Sequence, residues 1–286
     1  MHESNKIRIL TCAATAAMAT FAQASDFGLP TIEFPYQETS PEAEGDQGVE
    51  GVEDSSGPAS FWTGWTRSVE VGLNGSSGNS DSFDLRAIFE TERETDELRT
   101  LFRGRYLYGE DDGRASENEA RARGENDWKY PGERYFTFVF GVYEYDQFED
   151  WDTRLQLFGG LGYDFLKERA LLGGGQDRAS LTGRVGGGVT REFGGSDDTW
   201  VPEGLIGLDF VWEINERNTF AAGTEVFPAL DDFGEVRAVS FASYDVLLAE
   251  EADVRLRIGV EHEFDSNSGD AKENDVNYFL TILATF

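Results

Sequence analysis

From about residue 61 onward, apolar and polar residues alternate with a period of two. Side chains of an extended chain point to opposite faces in turn, so each alternating run is expected to be a strand with one apolar and one polar face. Twelve such runs follow one another, separated by turn chemistry, with no helical period of comparable length. "VRLRIGVEHEF" shows the pattern most cleanly: Val254, Leu256, Ile258, Val260 and Phe264 oppose Arg255, Arg257, Glu261 and Glu263. In "LRTLFRGRYLYG", Arg99, Arg103 and Arg105 oppose Leu98, Phe102, Tyr106 and Tyr108. "EARARGENDWKY" sets Arg121, Arg123, Glu125 and Asp127 against Ala120, Ala122, Trp128 and Tyr130. Arg86, Arg154 and Arg184 hold the matching places in "FDLRAIFE", "RLQLFGGLGYDF" and "LTGRVGGGVT". "RYFTFVFGVYEYD" is apolar on both faces and leaves its register open, and "TFAAGTEVF" and "VRAVSFASYDV" alternate weakly.

The last run, "YFLTILATF", carries no charge and no proline, with Tyr278, Leu280, Ile282, Ala284 and Phe286 on one face. As an open edge it would invite pairing with other molecules; closing a barrel removes the hazard. The expected fold is therefore all-β: a closed antiparallel up-and-down transmembrane β-barrel of about twelve strands over residues 61–286. Runs of roughly ten residues match what a tilted strand needs to cross a bilayer. Connections such as "YPGER" and "INERN" are tight, whereas "GEDDGRASEN" and "DSNSGDAKEND" are long and expected to face outward.

A barrel of this kind makes a demand on charge that an amphipathic sandwich does not. Apolar faces are expected to meet lipid, and charged faces to enclose a lumen in which an unpaired charge is costly. The lumen-lining residues are expected to include Arg86, Arg99, Arg103, Arg105, Arg121, Arg123, Glu125, Asp127, Arg154, Arg184, Arg255, Arg257, Glu261 and Glu263. With Glu70, Asp84, Glu90, Asp164, Asp209, Glu213 and Glu225 they make a nearly neutral wall without lysine. The formal net charge of −31 is then expected to sit mainly on one rim. Arginine suits such a wall because its planar guanidinium binds carboxylates bidentately. Twelve strands ~4.8 Å apart and tilted ~40° give a backbone radius of roughly 12 Å, which predicts a narrow or occluded lumen.

Composition agrees: 33 Gly, 22 Phe, 10 Tyr and 6 Trp against 7 Pro suit many strands and few helices. No run reaches about 18 apolar residues, so a helical membrane span is not expected. At the start, Lys6 and Arg8 precede the apolar "ILTCAATAAMATFA" and an A-x-A site, which reads as a signal peptide over 1–24 cleaved between Ala24 and Ser25. The single Cys12 lies inside it, so the mature chain is expected to have no disulfide and no cysteine nucleophile. Residues 25–60 hold nine acids, no base and four of the seven prolines, and read as an acidic disordered leader.

"SSGNSD", "YLYGEDDG", "YEYDQFEDWDTRLQLFGGLGYDF", "PALDDFGEVR" and the stretch from "DSNSG" to Phe286 occur in an order that resembles the YdiY-like, salt-induced outer-membrane protein family. The resemblance covers about residues 61–286. It implies a Gram-negative outer-membrane barrel with stress-linked expression and no assigned chemistry. The terminal nonapeptide also looks like the closing strand and assembly signal of such barrels, which implies the barrel-assembly machinery as a partner.

Candidate chemistry is sparse. His262 is the one histidine after the signal segment and alternates onto the apolar face, so a Ser/His hydrolase lacks its parts and no enzyme is expected. Asp146, Glu149, Asp150 and Asp152 offer hard oxygen ligands for a divalent cation, but without EF-hand spacing; no metal is assigned to them. An acidic outer rim sharing divalent cations with lipopolysaccharide is the plainer reading. "GGLG", "GGGQ" and "VGGGV" read as wall glycines and turns, not phosphate loops, because no helix follows. No cofactor is expected, and no nucleic-acid partner suits so acidic a chain. The function expected is an envelope barrel with a stress-linked structural role and at most narrow small-ion passage. A weakly cation-selective porin-like channel and a secreted soluble β-protein are the alternatives.

Overall fold

The computed structural model describes residues 63–76, 81–172, 177–195, 198–231, 234–267 and 273–286. The signal segment, the Ala24–Ser25 junction and the acidic leader lie outside these residues. Twelve strands follow in order: β1 (Thr66–Ser76), β2 (Ser82–Glu94), β3 (Leu98–Asp111), β4 (Arg114–Lys129), β5 (Tyr135–Asp146), β6 (Thr153–Arg169), β7 (Arg178–Phe193), β8 (Trp200–Asn215), β9 (Asn218–Pro228), β10 (Val236–Ala249), β11 (Val254–Asp265) and β12 (Asn274–Thr285). Each pairs antiparallel with its chain neighbours, and β1 pairs with β12, so the sheet is a closed barrel.

Alternation decides which way each strand faces. Leu73, Leu157, Leu161, Val185, Ile206, Leu208, Ile258, Leu280 and Ile282 are exposed on the outer wall, where a soluble protein would place polar groups. At the end where β1 begins and β12 finishes, exposed Trp128, Tyr130, Tyr135, Tyr163 and Phe165 form a partial aromatic band along β4–β6. Tyr130 packs on Tyr135, and Tyr163 on Phe165, each with ring centroids 5.1 Å apart. Amphipathic rings of this kind suit the boundary between hydrocarbon and water.

The connections differ from expectation at two places. "GEDDGRASEN" is not a long loop: β3 and β4 run on into a two-residue turn, with Asp112 at φ 49° and Gly113 at φ 77°. Positive φ at both central residues matches the twist of a tight hairpin, and Asp-Gly is the dipeptide that tolerates it. Conversely, the connection over 170–177 is long although it lies at the termini end. Asp177 holds it: its carboxylate accepts the amides of Leu171 at 2.7 Å and Leu172 at 3.1 Å, and the Trp212 indole N–H at 3.0 Å. Desolvation pushes this carboxyl up, but the indole and amide hydrogen bonds outweigh it and leave the pKa below the ordinary Asp value.

The seam is short. β1 and β12 are registered over four residue pairs, Ser68↔Thr285 to Val71↔Ile282, whereas β1–β2 and β11–β12 hold eleven each. Arg67 and Phe286 finish it with reciprocal backbone hydrogen bonds of 3.0 and 2.8 Å. Tyr278, Leu280, Ile282 and Phe286 face outward from β12, Tyr278 at 83 % exposure. Two outcomes are expected. Ile282→Pro removes an amide from β12 at the seam, so the barrel fails to close, read as loss of heat-modifiable migration in detergent. The Asp177 contribution, which comes from a depressed pKa, is present above the ordinary Asp pKa of about 4 and lost below it. The protection of the Leu171 and Leu172 amides, measured against their intrinsic exchange rates, should therefore fall only in that acid range.

Candidate functional site: the barrel interior

Residues paired directly across two strands point the same way, so contacts between non-adjacent strands report the interior. Arg123 on β4 reaches Glu225 on β9 through two hydrogen bonds of 2.8 and 2.9 Å. Arg184 on β7 reaches Glu125 on β4 at 2.8 Å. Arg86 on β2 meets Glu261 on β11 at 3.0 Å, and Arg257 on β11 meets Glu70 on β1 at 2.8 Å. Arg123–Glu225 crosses the lumen between strands five places apart, and the other three pairs bridge strands two or three places apart along the wall.

Charge is distributed in three groups. In the first, Glu125 is shared by Arg99, Arg123 and Arg184, while Asp127 takes Arg99 at 3.2 Å and Arg184 at 3.3 Å. Arg99 also holds Glu92 at 2.9 Å, and Arg184 holds Asp209 at 3.0 Å. In the second, Arg105 bonds Glu261 and Glu119 and reaches Glu263 at 3.4 Å. Arg257 bonds Asp245 at 2.7 Å, and Thr281 donates to Glu70 at 2.9 Å. In the third, Glu144 collects Arg121 at 3.0 Å, Gln156 at 3.1 Å and Arg154 at 3.8 Å, and Arg154 continues to Glu192. Beside it, Arg237 holds Glu203 at 2.9 Å, and Glu203 also binds Thr190. Arg255 lies nearer the termini end, on Asp253 at 2.8 Å. Every group depends on guanidinium geometry, because one fork serves two or three carboxylates on different strands.

Apolar side chains fill the β5–β9 side, which corrects the expectation that apolar faces meet lipid. On β5 the open register resolves with Phe136, Phe138, Phe140 and Val142 inward; with Phe158, Leu205 and Phe227 they form a buried cluster. Ring centroids run Phe138–Phe140 6.0 Å, Phe140–Phe158 5.3 Å and Phe158–Phe227 5.0 Å. Arginines cover the rings: Arg123 lies 3.9 Å over Phe140, Arg237 5.1 Å over Phe227, and Arg184 5.7 Å over Phe136. Such stacking suits a desolvated guanidinium. The rings fit because β6 and β7 present glycine opposite them: a Cβ on Gly162 would overlap the Phe136 ring, and one on Gly188 would meet Phe158.

The wall expected from the sequence omits Glu144, Asp245, Arg237 and Glu203. Glu144, Asp245 and Glu203 are buried inside, and Arg237 is paired there. Glu144 and Asp245 lie on β5 and β10, two of the three strands whose alternation was ambiguous or weak. The signal available was parity from Phe140, since Glu144 follows it by four positions. The acidic candidates do not converge: Asp146 accepts the Phe148 amide at 2.8 Å, and among the described residues no three potential ligands gather to hold a metal. His262 contacts Asn274 at 3.0 Å on the outer wall, away from these groups.

Residues 69–286 match the family described as "Protein of unknown function, DUF481", and the chain belongs to that family. No curated protein matches it in sequence. Among solved structures it is similar to the NanC porin, at 9 % identity and TM-score 0.42 over 77 % of this chain and 97 % of that one. It is also similar to the translocator domain of autotransporter NalP from Neisseria meningitidis, at 10 % identity and TM-score 0.44 over 82 % and 90 % of the two chains. An outer membrane channel from Pseudomonas putida F1 follows at 11 % identity and TM-score 0.42, over 77 % and 94 %. The likeness is one of barrel architecture and carries nothing about cargo.

Because Glu125 is the carboxylate that Arg99, Arg123 and Arg184 share, Glu125→Gln leaves each of these buried guanidinium groups short of one charged acceptor. A cost of about 3–5 kcal/mol is expected, the range for breaking one side of a buried pair. The measurement is the temperature at which the folded band converts to the unfolded one in detergent gels.

Proposed function

We propose that the protein is a bacterial outer-membrane barrel whose interior is closed in its resting state, with a structural role in the envelope and passage limited at most to small ions. The observation that supports this most is the pairing of interior arginines and carboxylates across the lumen, packed against the Phe136–Phe140–Phe158–Phe227 cluster. Each ring withdrawn from water contributes about 1.5–3 kcal/mol, and each pair would have to be opened before a solute could pass. The apolar outer wall and its aromatic band support a membrane setting, and with it contact with lipid and lipopolysaccharide. The outward β12 face supports recognition of the terminal strand during assembly. Divalent cations shared with lipopolysaccharide at the acidic loops belong to the same reading.

The stress link rests on the resemblance to salt-induced outer-membrane proteins; abundance in cells shifted to high salt checks it, and an unchanged level would remove it. For the closed lumen, the wild-type protein in planar bilayers is expected to give no persistent conductance steps. Phe140→Ala combined with Phe158→Ala is expected to give open events. Persistent wild-type steps would instead favour the weakly cation-selective channel.

A further inference from the structure

Interior arginines differ in how well they are satisfied. Arg86, Arg99, Arg105, Arg121, Arg123, Arg154, Arg184 and Arg257 each have a carboxylate oxygen within 3.2 Å. Arg103 does not: among the described residues its nearest carboxylate oxygen is that of Glu90, 3.7 Å from Nε. Its cross-strand neighbours are Glu90 on β2 and another arginine, Arg123 on β4. The other carboxylates nearby are engaged: Glu70 by Arg257 and Thr281, and Glu92 by Arg99. A guanidinium carries five N–H donors, so most of the Arg103 fork is left for another acceptor.

Space for that acceptor exists. A cavity of about 290 Å³ opens at the termini end, bounded by Arg103, Glu90, Arg257, Ile88 and Leu283 among others. It lies on the β1–β3 and β11–β12 side of the lumen, opposite the phenylalanine cluster. The Arg103 side chain is 41 % exposed, and the cavity it lines is also bounded by Glu70, Glu92 and the edges of the largely buried Ile88 and Leu283. A planar fork facing a mixed cavity is suited to a carboxylate on a short hydrocarbon tail.

We propose that this vestibule binds the carboxylate of a small monocarboxylic solute with a short alkyl chain, anchored by Arg103, and that Glu90 occupies the fork loosely when the solute is absent. The solute carboxylate accepts from the guanidinium, and the tail lies on Ile88 and Leu283. Glu90 competes with the ligand and does not contact it.

The test uses the full barrel folded in detergent micelles and titrated with butyrate, followed by calorimetry and by the ¹⁵N shift of the Arg103 Nε–H. Saturable binding is expected, weakened by about tenfold or more in Arg103→Gln, as for loss of a charge-assisted hydrogen-bonded pair. Glu90→Gln removes the competitor and is expected to tighten binding by roughly threefold. These opposite shifts are what a merely structural pair would not produce. Inorganic phosphate is expected to bind more weakly than butyrate because it leaves Ile88 and Leu283 uncovered. Absence of saturable binding, an unchanged affinity in Arg103→Gln, weaker binding in Glu90→Gln, or phosphate binding equal to butyrate would each overturn the proposal. Retained heat-modifiable migration certifies that a variant is folded. If Arg103→Gln fails to close, Arg103→Lys decides: it keeps the charge but loses the fork, and unchanged affinity there counts against the site. Micelles carry no flux, so failure here leaves the closed-barrel reading standing, and wild-type conductance would leave this site standing.

Discussion

A strand at the edge of a sheet leaves a row of backbone amides and carbonyls unpaired, and a β-chain satisfies them by closing the sheet upon itself. The rest of this structure follows from that constraint. Closure gives each strand two neighbours, makes the outer wall a lipid-like surface, and forces the alternate side chains into one enclosed space. The seam of β1 with β12 carries this closure on four residue pairs and the Arg67–Phe286 backbone bonds. An uncharged terminal strand fits that task, because its outward residues must all meet the same apolar surroundings as the rest of the wall.

Inside, the constraint changes from backbone to charge. Carboxylates and guanidinium groups face one another at lumen width, where an unpaired charge is costly and a shared one is not. Glu125 with Arg99, Arg123 and Arg184, and Glu261 with Arg86 and Arg105, show how one group serves several strands. Lysine has no fork to do this; Lys129 sits at a rim, paired with Glu94. The phenylalanine cluster fills what the ions leave on the β5–β9 side, and glycines on β6 and β7 make the room.

The interior is therefore lopsided. One side is packed with rings and stacked guanidinium groups, and the other keeps a cavity and a weakly partnered arginine. A barrel that were simply a filled plug would have no reason to leave Arg103 beside Arg123 with one distant carboxylate. The packed side holds the rings and their stacked guanidinium groups, and the proposed carboxylate site lies on the open side.

Strand count, closure and the arginine-bearing faces were legible in the chain because a period of two is a local property: "VRLRIGVEHEF" states its two faces without reference to any other strand. The same rule failed on "RYFTFVFGVYEYD", where both faces are apolar and nothing local says which one turns inward. Only pairing with β4 and β6 decided it, by placing Phe140 level with Glu125 and Phe158. That decision carried Glu144 into the lumen and turned three phenylalanines of β5 away from the outer wall. Which arginine meets which carboxylate was likewise beyond the sequence, since Arg123–Glu225 and Arg257–Glu70 join strands far apart in the chain. By itself the sequence determined that the sheet closes and that it encloses arginines and carboxylates. The tertiary structure decided the partners, because distances across a lumen are set by the register and tilt of all twelve strands together.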